Sequence, residues 1–191
     1  MVQPQEEKLL EDKVEDKLKM SQMWQKQREE LTETEIRAAV KLIGRKSSMM
    51  RILRFLKENG ISSVNEITEG INNVITQVRV TQILVKMFQA GVLNCGVTKI
   101  DANWTFYELS KDFPYDEALL NFKKFVGVKL GSLIIYGKTF LVSDLQNNMG
   151  FTALLLKYGL TFEEGIACLM LNTRSIEVIS SYGKLVGFKR K

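Results

Sequence analysis

The 191-residue chain has no histidine, so it lacks the commonest metal ligand and the commonest general base at neutral pH. Histidine triads and histidine-containing zinc sites are excluded. It has two cysteines, Cys95 and Cys168, far apart and in no CxxC pair, which argues against a thiolate zinc site. Both read as free, largely buried thiols of a reducing compartment. Proline is scarce, at two residues, and no run approaches the roughly 18 apolar residues of a membrane span. Near the start stand Glu6, Glu7, Glu11 and Asp12, where a secretory leader would need a basic flank and an apolar run. A soluble, cytoplasmic protein without membrane attachment is expected. Neither phosphate-loop nor dinucleotide-loop glycine patterns occur, and no cofactor is expected.

What is present is 45% hydrophobic residues and a net charge of +5, enough apolar content for one ordinary domain or two small ones. The charge is unevenly placed. Residues 1–46 hold 10 basic and 10 acidic groups, residues 47–115 hold 7 and 6, and residues 116–191 hold 10 and 6. A small basic surplus permits nucleic-acid partners without requiring them.

Residues 5–31 contain no proline or glycine, and Leu10, Val14, Leu18, Ser21, Trp24, Arg28 and Leu31 recur at three- or four-residue steps, predicting an amphipathic helix that packs on a partner subunit or on its own body, the alternative being a solvated charged helix. Thr32 and Glu35 have capping-box spacing, so a second helix starts there and carries Ile36, Val40 and Ile43 on one face. A third runs from about Met49 to Asn59 and stops at Asn59-Gly60. Ser63 caps a short helix holding Ile67 and Ile71. A longer helix over about 75–89 buries Val80, Ile83, Leu84 and Met87 and stops at Ala90-Gly91. Two β-prone runs, 92–97 and 104–109, flank a loop of hairpin length and composition.

In this order the ILRFLKENG helix and its glycine stop, SSVNEITEGI, VRVTQILVKMFQAGVL and the WTFYELS return strand resemble the winged helix-turn-helix family, particularly its MarR- and ArsR-like regulators. The resemblance covers residues 47–110. It implies a winged helix-turn-helix (47–113); with an N-terminal helical extension (1–46) and a small C-terminal α+β unit (114–191) read from the flanking residues, the expected fold is α+β and mostly helical. It also implies sequence-specific binding of double-stranded DNA in transcription regulation, by a homodimer, with the 75–89 helix in the major groove. The residues so implicated are Thr76, Gln77, Arg79, Gln82 and Lys86 on that helix, and Lys99 and Asn103 on the wing. Arg suits guanine, Gln suits adenine, and Lys and Thr suit phosphate. The alternative is a winged-helix assembly module that binds a protein partner without reading DNA. A basic surface around Arg79, Lys86 and Lys99 would favour the first, and an exposed apolar patch there the second.

Beyond Pro114 the sequence predicts a helix over 116–126, a hairpin of SLIIY and TFLV about Gly137-Lys138, helices over 151–158 and 162–171, and a hairpin of IEVISSY and LVGFK about Gly183-Lys184. LIIYGKTFLV and VISSYGKLVGF share a Tyr-Gly-Lys turn, compatible with an internal repeat or with chance. Glu163, Glu164, Asp144, Lys157 and Cys168 are residue types used in catalysis, but no spacing assembles them. No enzyme is expected. A dimerisation or sensing role suits this unit.

Overall fold

A computed structural model describes residues 32–97 and 105–191. The predicted helix over 5–31, with Trp24 and Leu31, lies outside the described residues, as do Lys99 and Asn103. Among the described residues the chain is mostly helical with two small antiparallel sheets. It divides into two compact units, one of residues up to Ala39 with Ile52–Phe113, the other of Val40–Arg51 with Pro114–Lys191.

Helix α1 (Glu33–Ile43) starts where the Thr32 hydroxyl accepts from the Glu35 amide at 3.3 Å, while the Thr32 amide donates to the Glu35 carboxylate at 2.9 Å. The Thr32 hydroxyl also donates to the Glu35 carboxylate at 2.7 Å, and this bond, with that of the Thr32 amide, holds the exposed Glu35 carboxyl below its ordinary range. Helix α2 (Ser47–Asn59) ends at Gly60, whose φ of 71° is left-handed and suits glycine.

In the first unit, strand β1 (Ser62–Ser63) runs straight into helix α3 (Val64–Gly70). The Ser63 amide donates to Glu66 Oε2 at 2.7 Å, and the Ser63 hydroxyl accepts from the Glu66 amide at 3.2 Å. Helix α4 (Gln77–Gln89) follows, then strands β2 (Leu93–Val97) and β3 (Thr105–Leu109). The sheet order is β1-β3-β2, all antiparallel. Ile52, Leu53, Leu56, Ile67, Val80, Ile83, Leu84, Met87 and Leu93 form the core. The four α4 members are the ones the three- and four-residue spacing predicts.

The second unit contains helix α5 (Tyr115–Gly131), strand β4 (Thr139–Leu141), helices α6 (Val142–Gln146), α7 (Met149–Tyr158) and α8 (Phe162–Met170), and strands β5 (Ile176–Ser181) and β6 (Lys184–Arg190). Its sheet order is β4-β6-β5, again antiparallel. Phe122, Val126, Leu130, Phe151, Cys168, Leu169 and Phe188 are fully buried, and Tyr158 meets Phe122 and Phe125 edge-on at 6.1 Å.

One expectation fails here. SLIIY and TFLV do not form a hairpin: β4 pairs with β6, setting Phe140 opposite Phe188, and residue 136 makes only an isolated parallel bridge to Arg190. The reason is burial. Of the SLIIY run only Ile134 reaches the core, while Ile135 and Tyr136 are exposed; β4 gains more by covering the buried Phe188. The first Tyr-Gly-Lys is therefore a bend before β4, and only the second is a hairpin turn.

Candidate nucleic-acid interface

The connection from α3 to α4 spans residues 71–76 and begins with two consecutive left-handed residues, Asn72 at φ 58° and Asn73 at φ 52°. Asparagine tolerates this conformation better than other side chains. The Asn72 and Asn73 amides donate to the carbonyls of Glu69 and Thr68 at 2.8 and 3.0 Å, closing the end of α3. Thr76 then caps α4, its hydroxyl accepting from the Arg79 amide at 3.4 Å. Gln77 Nε2 donates to Asn65 Oδ1 at 2.6 Å, which ties the start of α4 to α3.

Thr76, Gln77, Arg79, Gln82 and Lys86 are all exposed. Arg79 Nη1 donates to Gln82 Oε1 at 3.0 Å, so the guanidinium is held beside a residue with its own donors and acceptor. Helix α4 carries two cations and no carboxylate. At about 100° per residue, Val78, Gln82, Val85 and Gln89 run down the middle of the outward face, with Arg79 and Lys86 on one flank. The residues the family resemblance implicates are polar, and the valines of this face are not among them. Val78 is 70% exposed and Val85 41%, and Val74 and Phe88 are exposed nearby. Their signal was available: positions 78 and 85 are seven apart, out of phase with Val80, Ile83, Leu84 and Met87. The Gln77–Asn65 bond, by contrast, has no sequence signature.

The hairpin behind α4 is held by cross-strand pairs, among them Cys95 opposite Tyr107. Burial, the nearby Cys95 and its hydrogen bond push the Tyr107 phenol up to about 12. Burial likewise pushes the Cys95 thiol up, against the hydrogen bond with Tyr107; a raised thiol is a poor nucleophile. Cys95 is half-buried and Cys168 buried, and neither is in a disulfide. Among the described residues no group of three or more Cys, Asp or Glu side chains is placed to hold a metal ion, and no helix is long and apolar enough to cross a membrane.

A helix, a short strand, two further helices and a two-stranded hairpin whose return strand lies between the others define a winged helix-turn-helix. That is the fold class of the regulators the sequence resembles. No family model matches the chain, and no curated protein sequence matches it. Among solved structures it is similar to the YusO protein from Bacillus subtilis, at 18% identity, covering 79% of this chain and 96% of that one, with a TM-score of 0.39. It is also similar to the heme sensor protein PefR from Streptococcus agalactiae, solved in complex with heme, at 16% identity, 82% and 94% coverage and a TM-score of 0.40. A third is BpsR of Bordetella bronchiseptica, whose DNA binding is regulated by 6-hydroxynicotinic acid, at 13% identity, 89% and 97% coverage and a TM-score of 0.33. The fold assignment rests on this chain's own element order and strand pairing.

Proposed function

We propose that the protein is a double-stranded DNA-binding transcriptional regulator whose α4 enters the major groove. The observation that carries this reading is an exposed, carboxylate-free helix bearing Arg79, Gln82 and Lys86, in the reader position of a winged helix-turn-helix. Thr76 and Gln77 stand at its leading end, near phosphate, and Lys99 and Asn103 belong to the wing. Arg79 and Gln82 supply hydrogen bonds to base edges, Lys86 a phosphate contact. Val78 and Val85 are not out of place in this reading, since a groove-facing apolar side chain meets the thymine methyl. A reader helix of this length covers few base pairs, so the reading includes a homodimer on two half-sites, with residues 1–46 and 114–191 supplying dimer contacts. It also includes a cytoplasmic location, supported by two cysteines that are not joined in a disulfide.

The exposure of Val74, Val78, Val85 and Phe88 favours a second reading, a protein-assembly module using the same helix. Duplex DNA titrated by fluorescence anisotropy across a salt series separates the two. Binding should weaken steeply with salt, and Arg79→Ala/Lys86→Ala should make the slope shallower by about 1 to 2. Salt-insensitive or absent binding in the wild type sinks the DNA reading and leaves the assembly module.

A further inference from the structure

The second unit repeats the element order of the first. Helix α5 is followed by strand β4, by α6 beginning at the next residue, and by further helices and a closing hairpin; the first unit runs α2, β1, α3, α4, β2, β3. In both sheets the last strand lies between the other two, and all pairings are antiparallel. The junctions of strand and helix share a bond: the Leu141 amide donates to Asp144 Oδ2 at 3.0 Å, as the Ser63 amide does to Glu66. The second unit differs by one additional helix. Its α7 and α8 are joined by residues 159–161 alone: Gly159 at φ 66°, the buried Leu160, and Thr161, whose hydroxyl caps α8. A three-residue connection with a left-handed glycine is the short turn of a helix-turn-helix. The connection of α3 and α4 is longer.

Charge is distributed differently in the two units. Helix α8, in the reader position, has Glu163 and Glu164 in its first turn and no cation, and exposes Glu163, Ala167 and Met170. Such a face repels phosphate. The sheet gathers cations instead. Lys138 precedes Thr139, which pairs with Lys189; Arg190 pairs with Ile176, two residues after Arg174. The Lys191 amide donates to the Ser175 carbonyl at 3.0 Å, and Lys191 Nζ to the Thr173 carbonyl at 3.0 Å. Register thus collects Lys138, Arg174, Lys189, Arg190 and Lys191 at one end of the sheet. Glu177, opposite Lys189, is the acidic residue within its strands.

We infer that residues 115–191 are a second winged helix-turn-helix, which binds the phosphate backbone of duplex DNA through this cationic sheet end and not through α8. The inference rests on the DNA-binding reading above. DNA is favoured over an anionic membrane because the cations sit on and beside the strands of a nucleic-acid-binding plan and not on an amphipathic helix that could enter a bilayer.

The test uses the full chain, duplex DNA and a salt series. Neutralising three exposed cations, Lys138→Gln/Arg174→Gln/Lys189→Gln, should lower the slope of log affinity against log salt by about 2.7, so that the loss over a fourfold salt increase shrinks about 40-fold. Lys138→Gln alone should lower it by about 0.9, and Lys138→Arg/Arg174→Lys/Lys189→Arg should keep it. A wild-type slope in the triple variant, with a reduced slope in Arg79→Ala/Lys86→Ala, overturns this inference and spares the α4 reading. The reverse pattern keeps the inference and removes α4 as reader. No salt-sensitive DNA binding by the wild type overturns both. Preferential capture by phosphatidylserine vesicles, lost in the triple variant, overturns it in favour of a membrane.

Discussion

Gly127 lies inside α5, where two physical effects of replacing it with alanine have opposite signs. In a helix interior alanine is favoured over glycine by about 1 kcal/mol, so an isolated helix would be stabilised. In this protein the added Cβ would collide with the carbonyl oxygen of Cys168 on α8, and would meet Asn172 Cβ at 3.6 Å. The obstruction is backbone, so it cannot rotate away; α5 and α8 must separate. Asn172 Nδ2 donates to the Gly127 carbonyl at 3.3 Å in a buried position, and that bond would stretch as they part. Overpacking of this kind costs about 1–3 kcal/mol, and rigid obstruction places it near the upper end. Subtracting the propensity gain leaves a net loss of about 2 kcal/mol. With a urea m-value near 2 kcal/mol/M, the midpoint should fall by about 1 M. Far-UV circular dichroism is the suitable signal, because Trp24 and Trp104 both lie outside residues 114–191. Gly131→Ala is the control: its Cβ would meet Asn172 Nδ2 at 2.7 Å and Ile176 Cγ1 at 3.2 Å, side-chain atoms that can move, so its midpoint should change less. An unchanged or raised midpoint for Gly127→Ala would refute the close approach of α5 and α8.

The Tyr107 phenol, raised from 10.0 to about 12 in the folded chain, contributes stability that is complete below pH 10 and disappears as pH rises toward 12, because the unfolded chain ionises first. Alkaline unfolding followed by tyrosinate absorbance should show this loss, and Tyr107→Phe should remove it. Ser63→Ala deletes the hydroxyl that accepts from the Glu66 amide and should cost about 1 kcal/mol in urea unfolding. Val78→Glu places a carboxylate in the first turn of α4 at a 70% exposed position; it should stabilise the helix by roughly 0.3–1 kcal/mol while weakening DNA binding. Thermal unfolding and anisotropy measured on the same sample would expose any failure of that opposition.

Local chemistry made much of the fold legible. The buried face of α4 follows from apolar spacing alone, and the caps at Thr32, Ser63 and Thr161 follow from short polar patterns whose bonds span three residues. Long-range pairing was not legible. Strand β4 finds its partner nearly fifty residues away, and nothing within SLIIYGKTFLV distinguishes that from a local hairpin; burial of Phe188 decides it. At the candidate interface the polar residues are readable by type, whereas Val78 and Val85 are apolar like the core and only their phase along the helix sets them apart. Gly159, Leu160 and Thr161 carried a helix-turn-helix signal of their own, visible once the shared sheet order set the two units side by side.

The starts of α4 and α8 show how one plan can face a polyanion or refuse it. A helix start presents unpaired amide donors and the positive end of the macrodipole, which a carboxylate or a phosphate can satisfy. Helix α8 brings its own carboxylates to that end, with Thr161 and Glu164 in a reciprocal cap and Glu163 beside them. That arrangement stabilises the helix and repels a phosphate. Helix α4 has Thr76 as its cap, no acidic residue in its first turn, and Arg79 and Lys86 further along. It forgoes a stabilising carboxylate, so no negative charge in its first turn opposes an external anion. The same substitution of charge that would make α4 a better isolated helix would make it a worse partner for DNA, so the missing acid at the start of α4 says more about function than the net charge of the chain.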